Sequence, residues 1–258
     1  MTPTPRRLYV HDDLTERAWR APRDRQLAVR LAATLFDLVR REPHAVVITL
    51  PEQLDGILGQ GGFPAFAAAV GIGGAGERVA RQIHARAGWF PSILRIDVTR
   101  VESGDRYVLA GPAPLTQQLA NLPSAGPIAI VDDTLFSGIT LQGVLTALPG
   151  DARRRSRVFC LRGVAASVPA IERLAPVTIG FAAAGRILED VSFINASGLM
   201  CRGAIRRADG PPLAFFERPE WMAAWFPAGA AEITDLCRRL QALVDVTGEP
   251  SLGAVCAV

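Results

Sequence analysis

Apolar residues recur at helical spacing over residues 25–41, with Leu27, Leu31, Leu35 and Leu38 on one side and Pro43 as a stop, so the pattern predicts an amphipathic helix. A β-branched run over 46–50 predicts a short strand. From residue 66 the pattern changes to short apolar runs alternating with helix-compatible segments. The runs at 66–70, 92–98, 127–131, 157–161 and 177–181 predict strands, and 77–86, 141–148 and 168–174 predict helices between them. Residues 99–111 are polar, with Gly104-Asp105 at their centre, and predict a hairpin or a loop. Residues 132–140 read as a turn. Strands alternating with helices imply an α/β fold, doubly wound around a mostly parallel sheet of about five strands with right-handed crossovers.

Beyond residue 182 the alternation is lost. Gly198, Gly203 and Gly210-Pro211-Pro212 interrupt the chain, Phe215, Phe216, Trp221, Trp225 and Phe226 follow, and 230–246 predicts a closing helix. The expected organisation is an N-terminal flank (1–60), an α/β core (61–182) and a C-terminal segment (183–258).

Composition narrows the chemistry. With 258 residues and 49% of them hydrophobic, the chain can bury a core without disulfides or metal. All 28 basic residues are arginine, which excludes a Schiff-base lysine and a Walker A lysine. A net charge of +3 is too small for a dedicated nucleic-acid stripe, and Arg153-Arg154-Arg155 reads as a solvated loop. Cys160, Cys201, Cys237 and Cys256 are widely spaced and form no CxxC, which fits a reduced, cytoplasmic protein. His11, His44 and His84 show no zinc-ligand spacing. The longest uncharged stretch, 107–131, holds four prolines and would make a poor membrane span.

One segment carries chemistry: Ile128-Ala129-Ile130-Val131-Asp132-Asp133-Thr134-Leu135-Phe136-Ser137-Gly138-Ile139-Thr140-Leu141. Four apolar residues make a buried strand, and two carboxylates stand where it leaves the sheet. Thr134, Ser137, Gly138 and Thr140 then surround a tight turn into a helix, whose first amides and nearby hydroxyls suit a phosphate monoester. Carboxylates so close to a phosphate would repel it unless they take something neutral or cationic, such as sugar hydroxyls or magnesium.

This segment resembles the 5-phosphoribosyl-1-diphosphate (PRPP) motif of the type I phosphoribosyltransferases: four apolar residues, two acids, a short spacer, then Ser or Thr, Gly, any residue and Thr. The resemblance implies that Asp132 and Asp133 contact the ribose 2′- and 3′-hydroxyls and Mg²⁺, and that Thr134, Leu135, Phe136, Ser137, Gly138 and Thr140 hold the 5′-phosphate. Gly71-Ile72-Gly73-Gly74-Ala75-Gly76 resembles the family's diphosphate loop, with Gly73 and Gly74 offering bare amides. The polar stretch holding Arg100, Glu102, Arg106 and Tyr107 corresponds to the family's mobile connection, and Arg100 is the expected diphosphate contact because a planar guanidinium pairs phosphate oxygens well.

The likeness spans roughly 66–181, less than half of the chain. In the family the flanks form a variable hood over the acceptor, so 183–226, with Leu8-Tyr9-Val10, are the expected hood. Trp221 and Trp225 could stack on a planar acceptor, but packing is the favoured reading. The implied reaction is transfer of a 5-phosphoribosyl group from PRPP to a small-molecule acceptor with release of diphosphate, Mg²⁺ being the cofactor. Neither nucleic acid nor membrane is an expected partner, and a homodimer is compatible with the sequence. A PRPP-sensing regulator on the same fold and a sugar-phosphate hydrolase stay open as alternatives. In the family's 6-oxopurine branch an Asp assists proton transfer at the loop position that is Phe136 here. A phenylalanine transfers no proton, so hypoxanthine and guanine are not the expected substrates. If the ring instead points into the core, the loop backbone does all the binding.

Overall fold

The computed structural model describes residues 5–14, 22–103, 106–187, 189–202, 204–205 and 211–245. In chain order the elements are β1 (Arg7–Asp12), α1 (Pro22–Arg41), β2 (Ala45–Thr49), α2 (Leu50–Leu58), β3 (Ala68–Ile72), α3 (Gly73–Ala87) and β4 (Ile93–Ile96). There follow β5 (Thr99–Ser103), β6 (Arg106–Ala110), α4 (Leu115–Gln118), β7 (Ile128–Leu135), α5 (Ile139–Ala147), α6 (Gly150–Arg154) and β8 (Ser156–Val164). The last described elements are α7 (Val168–Glu172), β9 (Val177–Ala183), β10 (Val191–Asn195), α8 (Ala196–Met200), α9 (Pro219–Trp225) and α10 (Ala230–Asp245). These elements form two compact units, Pro51–Gly185 and the combination of Met1–Leu50 with Arg186–Val258. The two flanks, separate in the sequence reading, thus make one unit.

In the first unit five parallel strands lie in the order β4-β3-β7-β8-β9. Ile128, Ala129, Ile130 and Val131 are fully buried because β7 is the central strand, with a neighbour on each side and packing on both faces. On one face Val70, Ile130, Val158 and Cys160 pack with Leu141, Val144 and Leu145 of α5 and Ile171 of α7. A cluster of aromatic rings, Phe63, Phe66, Trp89, Phe90 and Phe159, packs largely edge to face within the same unit, an arrangement that favours ring quadrupoles. The polar stretch after β4 is the antiparallel hairpin β5–β6. Its Gly104-Asp105 centre lies outside the described residues. The side chain of Leu109 fills the space over Gly143 on α5, where an added Cβ would come within 2.1 Å of its Cδ1.

Three boundaries differ from the sequence reading, each for a tertiary reason. The glycine run is not a loop: Gly71-Ile72 ends β3 and α3 begins at Gly73. A Cβ at Gly71 would stand 2.5 Å from the Glu77 backbone, and one at Gly76 would stand 2.2 Å from the Val131 carbonyl oxygen. The bare backbones therefore let the first turns of α3 close directly onto β3 and β7. Likewise β7 does not turn at Asp132 but runs to Leu135, because Asp132, Thr134 and Leu135 pair with Cys160, Arg162 and Gly163 of β8. Ladder pairing overrides the polar composition there. Finally, the arginine run is not a solvated loop. Arg153 and Arg154 end α6, and half-buried Arg155 donates to the carbonyls of Gly126 and Pro123.

In the second unit β1 lies between β10 and β2 in a parallel three-stranded sheet, so Leu8, Tyr9 and Val10 form its central strand. Leu8, Val10, Leu31, Leu35, Phe215, Phe226, Leu236 and Leu240 share its core. The buried face of α1 centres on Ala28, Ala32, Leu35 and Val39, which leaves Leu27 exposed, one position off the stripe read from leucines alone. Trp225 is buried and packs on Phe215 and Trp221, with ring centroids 5.2 and 5.4 Å away, so these tryptophans build a core.

Buried Glu42 uses Oε1 to accept the amides of Ala228 (3.0 Å) and Gly229 (2.8 Å), just ahead of α10. The carboxylate thereby satisfies donors at a helix start and complements its dipole. Glu42→Ala is expected to lower stability by about 1.5–3 kcal/mol, a charged hydrogen-bonding group's usual contribution, with Glu42→Gln intermediate. Denaturant titration checks this, and an Ala variant as stable as the wild type would refute the anchoring role.

Candidate functional site

Strand register brings together the two segments singled out in the sequence. Gly71 pairs with Val131, so Gly73-Gly74 at the start of α3 and Asp132-Asp133 in the last half of β7 follow directly on the end of the β3–β7 pairing, toward the carboxyl side of the sheet. From β3 the chain passes through α3 to β4 on one side, whereas β7 lies on the other. The crevice between β3 and β7 is therefore a topological switch point, the place where open parallel sheets bind ligands.

After Leu135 the chain turns through Phe136, Ser137 and Gly138. Gly138 has φ 79°, a left-handed conformation that glycine adopts without strain, and it caps α5 with no side chain of its own. The first amides of α5, from Ile139 onward, have no acceptor within the helix, which makes this turn suited to an anion. Ser137 is exposed and Thr134 and Thr140 are half-buried around it, while Leu135 and Phe136 are buried. Phe136 therefore adds bulk beneath the loop, and the loop presents backbone and hydroxyls.

The two carboxylates are partly buried and differently held. Asp132 accepts its neighbour's amide, Asp133 N–H to Oδ1, at 2.8 Å. Asp133 accepts a hydrogen bond from Arg162 Nη2 to Oδ2 at 3.0 Å, and the Arg162 side chain is only 3% exposed. Sequence reading missed Arg162. The available signal was an arginine inside the otherwise apolar run of β8, which a buried strand tolerates only with a partner. Cys160 pairs in register with Asp132. Burial first, and then the charges of Asp132 and Asp133, push its thiol well above its ordinary pKa. It stays protonated and is no nucleophile.

At Gly73 the backbone is again left-handed, with φ 59° and open space where a side chain would stand. Two guanidinium groups border Gly74: a Cβ there would lie 3.5 Å from Arg78 Nη1 and 3.6 Å from Arg95 Nη1. Arg95 is held by Asp97 Oδ1, at 2.8 Å from Nε and 2.7 Å from Nη2, with Glu77 3.7 Å from Nη1. Asp97, by hydrogen bond and charge, keeps the Arg95 guanidinium still more firmly protonated. The backbone of Asp97 is fixed in turn by Gln118, whose Oε1 accepts Asp97 N–H at 2.7 Å and whose Nε2 donates to Asp97 O at 3.0 Å. The sequence reading placed its diphosphate arginine at Arg100. That residue lies on β5 and its side chain is outside the described part, whereas Arg78 and Arg95 stand beside the glycines.

Among the described residues no group of three or more His, Cys, Asp or Glu could hold a metal ion by itself. A pair of carboxylates with no third ligand fits Mg²⁺, which is commonly bound by one or two carboxylates together with substrate phosphate oxygens. No helix among the described residues is long and apolar enough to cross a membrane.

The chain is similar to several solved structures over about half its length. A purine phosphoribosyltransferase from Pyrococcus horikoshii is 17% identical over 56% of this chain and 86% of its own, with a TM-score of 0.40. A hypoxanthine phosphoribosyltransferase from Staphylococcus aureus is 15% identical over 58% and 81%, with a TM-score of 0.43. An orotate phosphoribosyltransferase from Aeropyrum pernix is 17% identical over 50% and 69%, with a TM-score of 0.36. No family model matches the sequence, and no curated protein matches it.

Proposed function

We propose that this protein is a phosphoribosyltransferase, moving the 5-phosphoribosyl group of PRPP to a small-molecule acceptor with release of diphosphate. The observation that supports this most is the meeting, at one switch point, of an acid pair, an uncapped helix start behind left-handed Gly138, and the glycine-led start of α3 bordered by two guanidinium groups. These are the three receptors that PRPP requires: for ribose hydroxyls, for a 5′-phosphate and for diphosphate.

In this reading Thr134, Ser137, Thr140 and the amides from Gly138 onward hold the 5′-phosphate. Asp132 and Asp133 accept the ribose hydroxyls and fix the sugar ring. Gly73 and Gly74 receive the diphosphate, with Arg78 and Arg95 supplying positive charge and Arg100 added from the hairpin. Mg²⁺, held through Asp132 and Asp133, supplies neutralising charge for the departing diphosphate. As the bond to diphosphate lengthens, positive charge grows at the anomeric carbon. The chain's contribution is then orientation of the sugar and stabilisation of the leaving anion, with no covalent enzyme intermediate. Cys160, buried and protonated, has no part in bond making.

Because Phe136 is buried and transfers no proton, the acceptor must be nucleophilic already or find its base elsewhere. Diphosphate release from PRPP and Mg²⁺ across a panel of nucleobases and unusual acceptors tests the proposal. Turnover is expected with at least one acceptor, while hypoxanthine and guanine are expected to stay below about 10⁴ M⁻¹s⁻¹ in kcat/KM, the low end for ordinary enzymes. A wild-type protein that binds no PRPP by calorimetry refutes the function. Efficient use of hypoxanthine or guanine refutes the acceptor argument.

A further inference from the structure

We infer that Gln118 is a positioning residue that mounts the hairpin β5–β6 and the guanidinium of Arg95 on one point, so that a ligand taken up at Arg95 and the hairpin are coupled. The inference rests on the phosphoribosyltransferase reading. It starts from the two feet of the hairpin. The chain enters β5 from Asp97 and leaves β6 toward α4 through Gly111 and Ala113. Gln118, the last residue of α4, bonds to both feet. Its Oε1 accepts Asp97 N–H at 2.7 Å, and its Nε2 donates to Asp97 O at 3.0 Å and to Ala113 O at 2.8 Å. A side-chain amide has two protons to give, and both find a carbonyl here. Exchange of bonds with both the N–H and the C=O of Asp97 is what a neighbouring strand would supply. The feet also press on each other, since a Cβ at Gly111 would stand 2.4 Å from Asp97 O and 3.2 Å from Gln118 Nε2.

A two-stranded ribbon is marginal by itself, so its anchors decide where it stands. Leu109 over Gly143 is one anchor, and the Gln118 mount at the feet is the other. Asp97 has a second task at that mount. Its carboxylate holds Arg95, whose side chain is 48% exposed while that of Asp97 is 47% exposed. An ion pair so exposed is worth little by itself. The place of the guanidinium therefore follows the place of the Asp97 backbone, which Gln118 fixes. Arg95 Nη1 in turn stands 3.6 Å from where a Cβ of Gly74 would be, at the glycine-led start of α3. From Ala113 through Gln118 and Asp97 to Arg95, every step is a hydrogen bond. A ligand that engages Arg95 restrains Asp97 and, through Gln118, both feet of the hairpin. By linkage, a hairpin released from its mount weakens the same ligand.

Amide hydrogen exchange read by NMR, with and without PRPP and Mg²⁺, tests this alongside calorimetry in the wild type, Gln118→Met, Gln118→Glu, Arg95→Met and the Gln118→Met, Arg95→Met double variant. In the wild type PRPP is expected to slow exchange across β5 and β6 by about threefold or more. In Gln118→Met the Asp97 amide loses its protection, the hairpin exchanges faster, and PRPP no longer slows it. PRPP affinity should fall by about 5–30-fold in Gln118→Met, in line with the loss of one or two net hydrogen bonds. The double variant should bind within about threefold of Arg95→Met, because coupled residues are not additive. A side chain that merely packed would leave the PRPP-dependent slowing in place and would add its effect to that of Arg95. The inference is overturned by Gln118→Met binding PRPP within about twofold of the wild type, by PRPP protecting the hairpin equally in both proteins, or by Gln118 and Arg95 effects that multiply. If Gln118→Met does not fold, Gln118→Glu decides. Its carboxylate still accepts Asp97 N–H but donates to neither carbonyl, so it is expected to bind PRPP about 3–10-fold more weakly, and unchanged affinity overturns the inference. Failure of the wild type to bind PRPP at any Mg²⁺ concentration is a different result, since it removes the phosphoribosyltransferase reading from which this one starts.

Discussion

An Asp132→Asn, Asp133→Asn protein is expected to lose PRPP affinity by about two to four powers of ten while remaining folded. Each carboxylate offers hydrogen bonds from a charged group, worth roughly 1.5–3 kcal/mol, and each 1.4 kcal/mol is tenfold in affinity. Asparagine is the informative replacement. Alanine at position 133 would take away the carboxylate that buried Arg162 pairs with, and breaking such a pair typically costs about 3–5 kcal/mol of stability. A loss of binding would then be confounded with a loss of fold. In Asp133→Asn the side-chain amide oxygen still accepts from the guanidinium. The measurements are calorimetric titration with PRPP and Mg²⁺, and circular dichroism to establish folding. Undiminished affinity in the folded double variant would remove the acid pair from the site and, with it, the central support for the proposed function.

Gly76→Ala is expected to destabilise the core unit by about 3 kcal/mol or more, at or beyond the upper end of ordinary overpacking. The new Cβ would stand 2.2 Å from the carbonyl oxygen of Val131 and 3.2 Å from the backbone of Gly71. Both obstacles are backbone of central strands, so no rotamer change relieves them. The start of α3 must move away from β7, which also displaces Gly73 and Gly74 from Asp132 and Asp133. Thermal denaturation should show a fall of roughly 6–12 °C, at about 2–4 °C per kcal/mol for chains of this size. PRPP affinity should fall with it. Gly74→Ala is the contrast, since its Cβ would meet only ordinary contacts with the ends of Arg78 and Arg95. An unchanged melting temperature in Gly76→Ala would show that α3 is not packed as closely as the structure has it.

Much of the site was legible in the chain because its parts are local. The run from Ile128 to Thr140 carries its own strand, acids, turn glycine and helix start, and each of these is set by neighbours a few residues away. The same holds for the alternation of strands and helices from residue 66 onward, which is a matter of apolar period. Gly138 could be assigned to the turn from its type alone, and the structure gives it the left-handed backbone that a glycine there permits.

What lies across the sheet was not legible. Asp133 and Arg162 are 29 residues apart and meet only through the β7–β8 register, which depends on which strands become neighbours. Arg95 comes beside Gly74 through the register of β4 on β3, where it pairs with Gly71, while Arg78 lies one turn beyond Gly74 on α3; the likeness of the polar stretch to the family's mobile connection had favoured Arg100 instead. The glycine run reads locally as a loop, yet it becomes strand end and helix start because two backbones close on each other at Gly71 and Gly76. Residues 8–10 lie beside 191–195 although some 180 residues separate them, so no local period could join the two flanks into one sheet. By itself the sequence determined the apolar periods, the glycine turn into α5 and the pair of acids, all of which act over a few residues. The tertiary structure alone decided which guanidinium stands against which carboxylate and which glycines must stay bare, because those follow from strand order and from the contact distance between backbones.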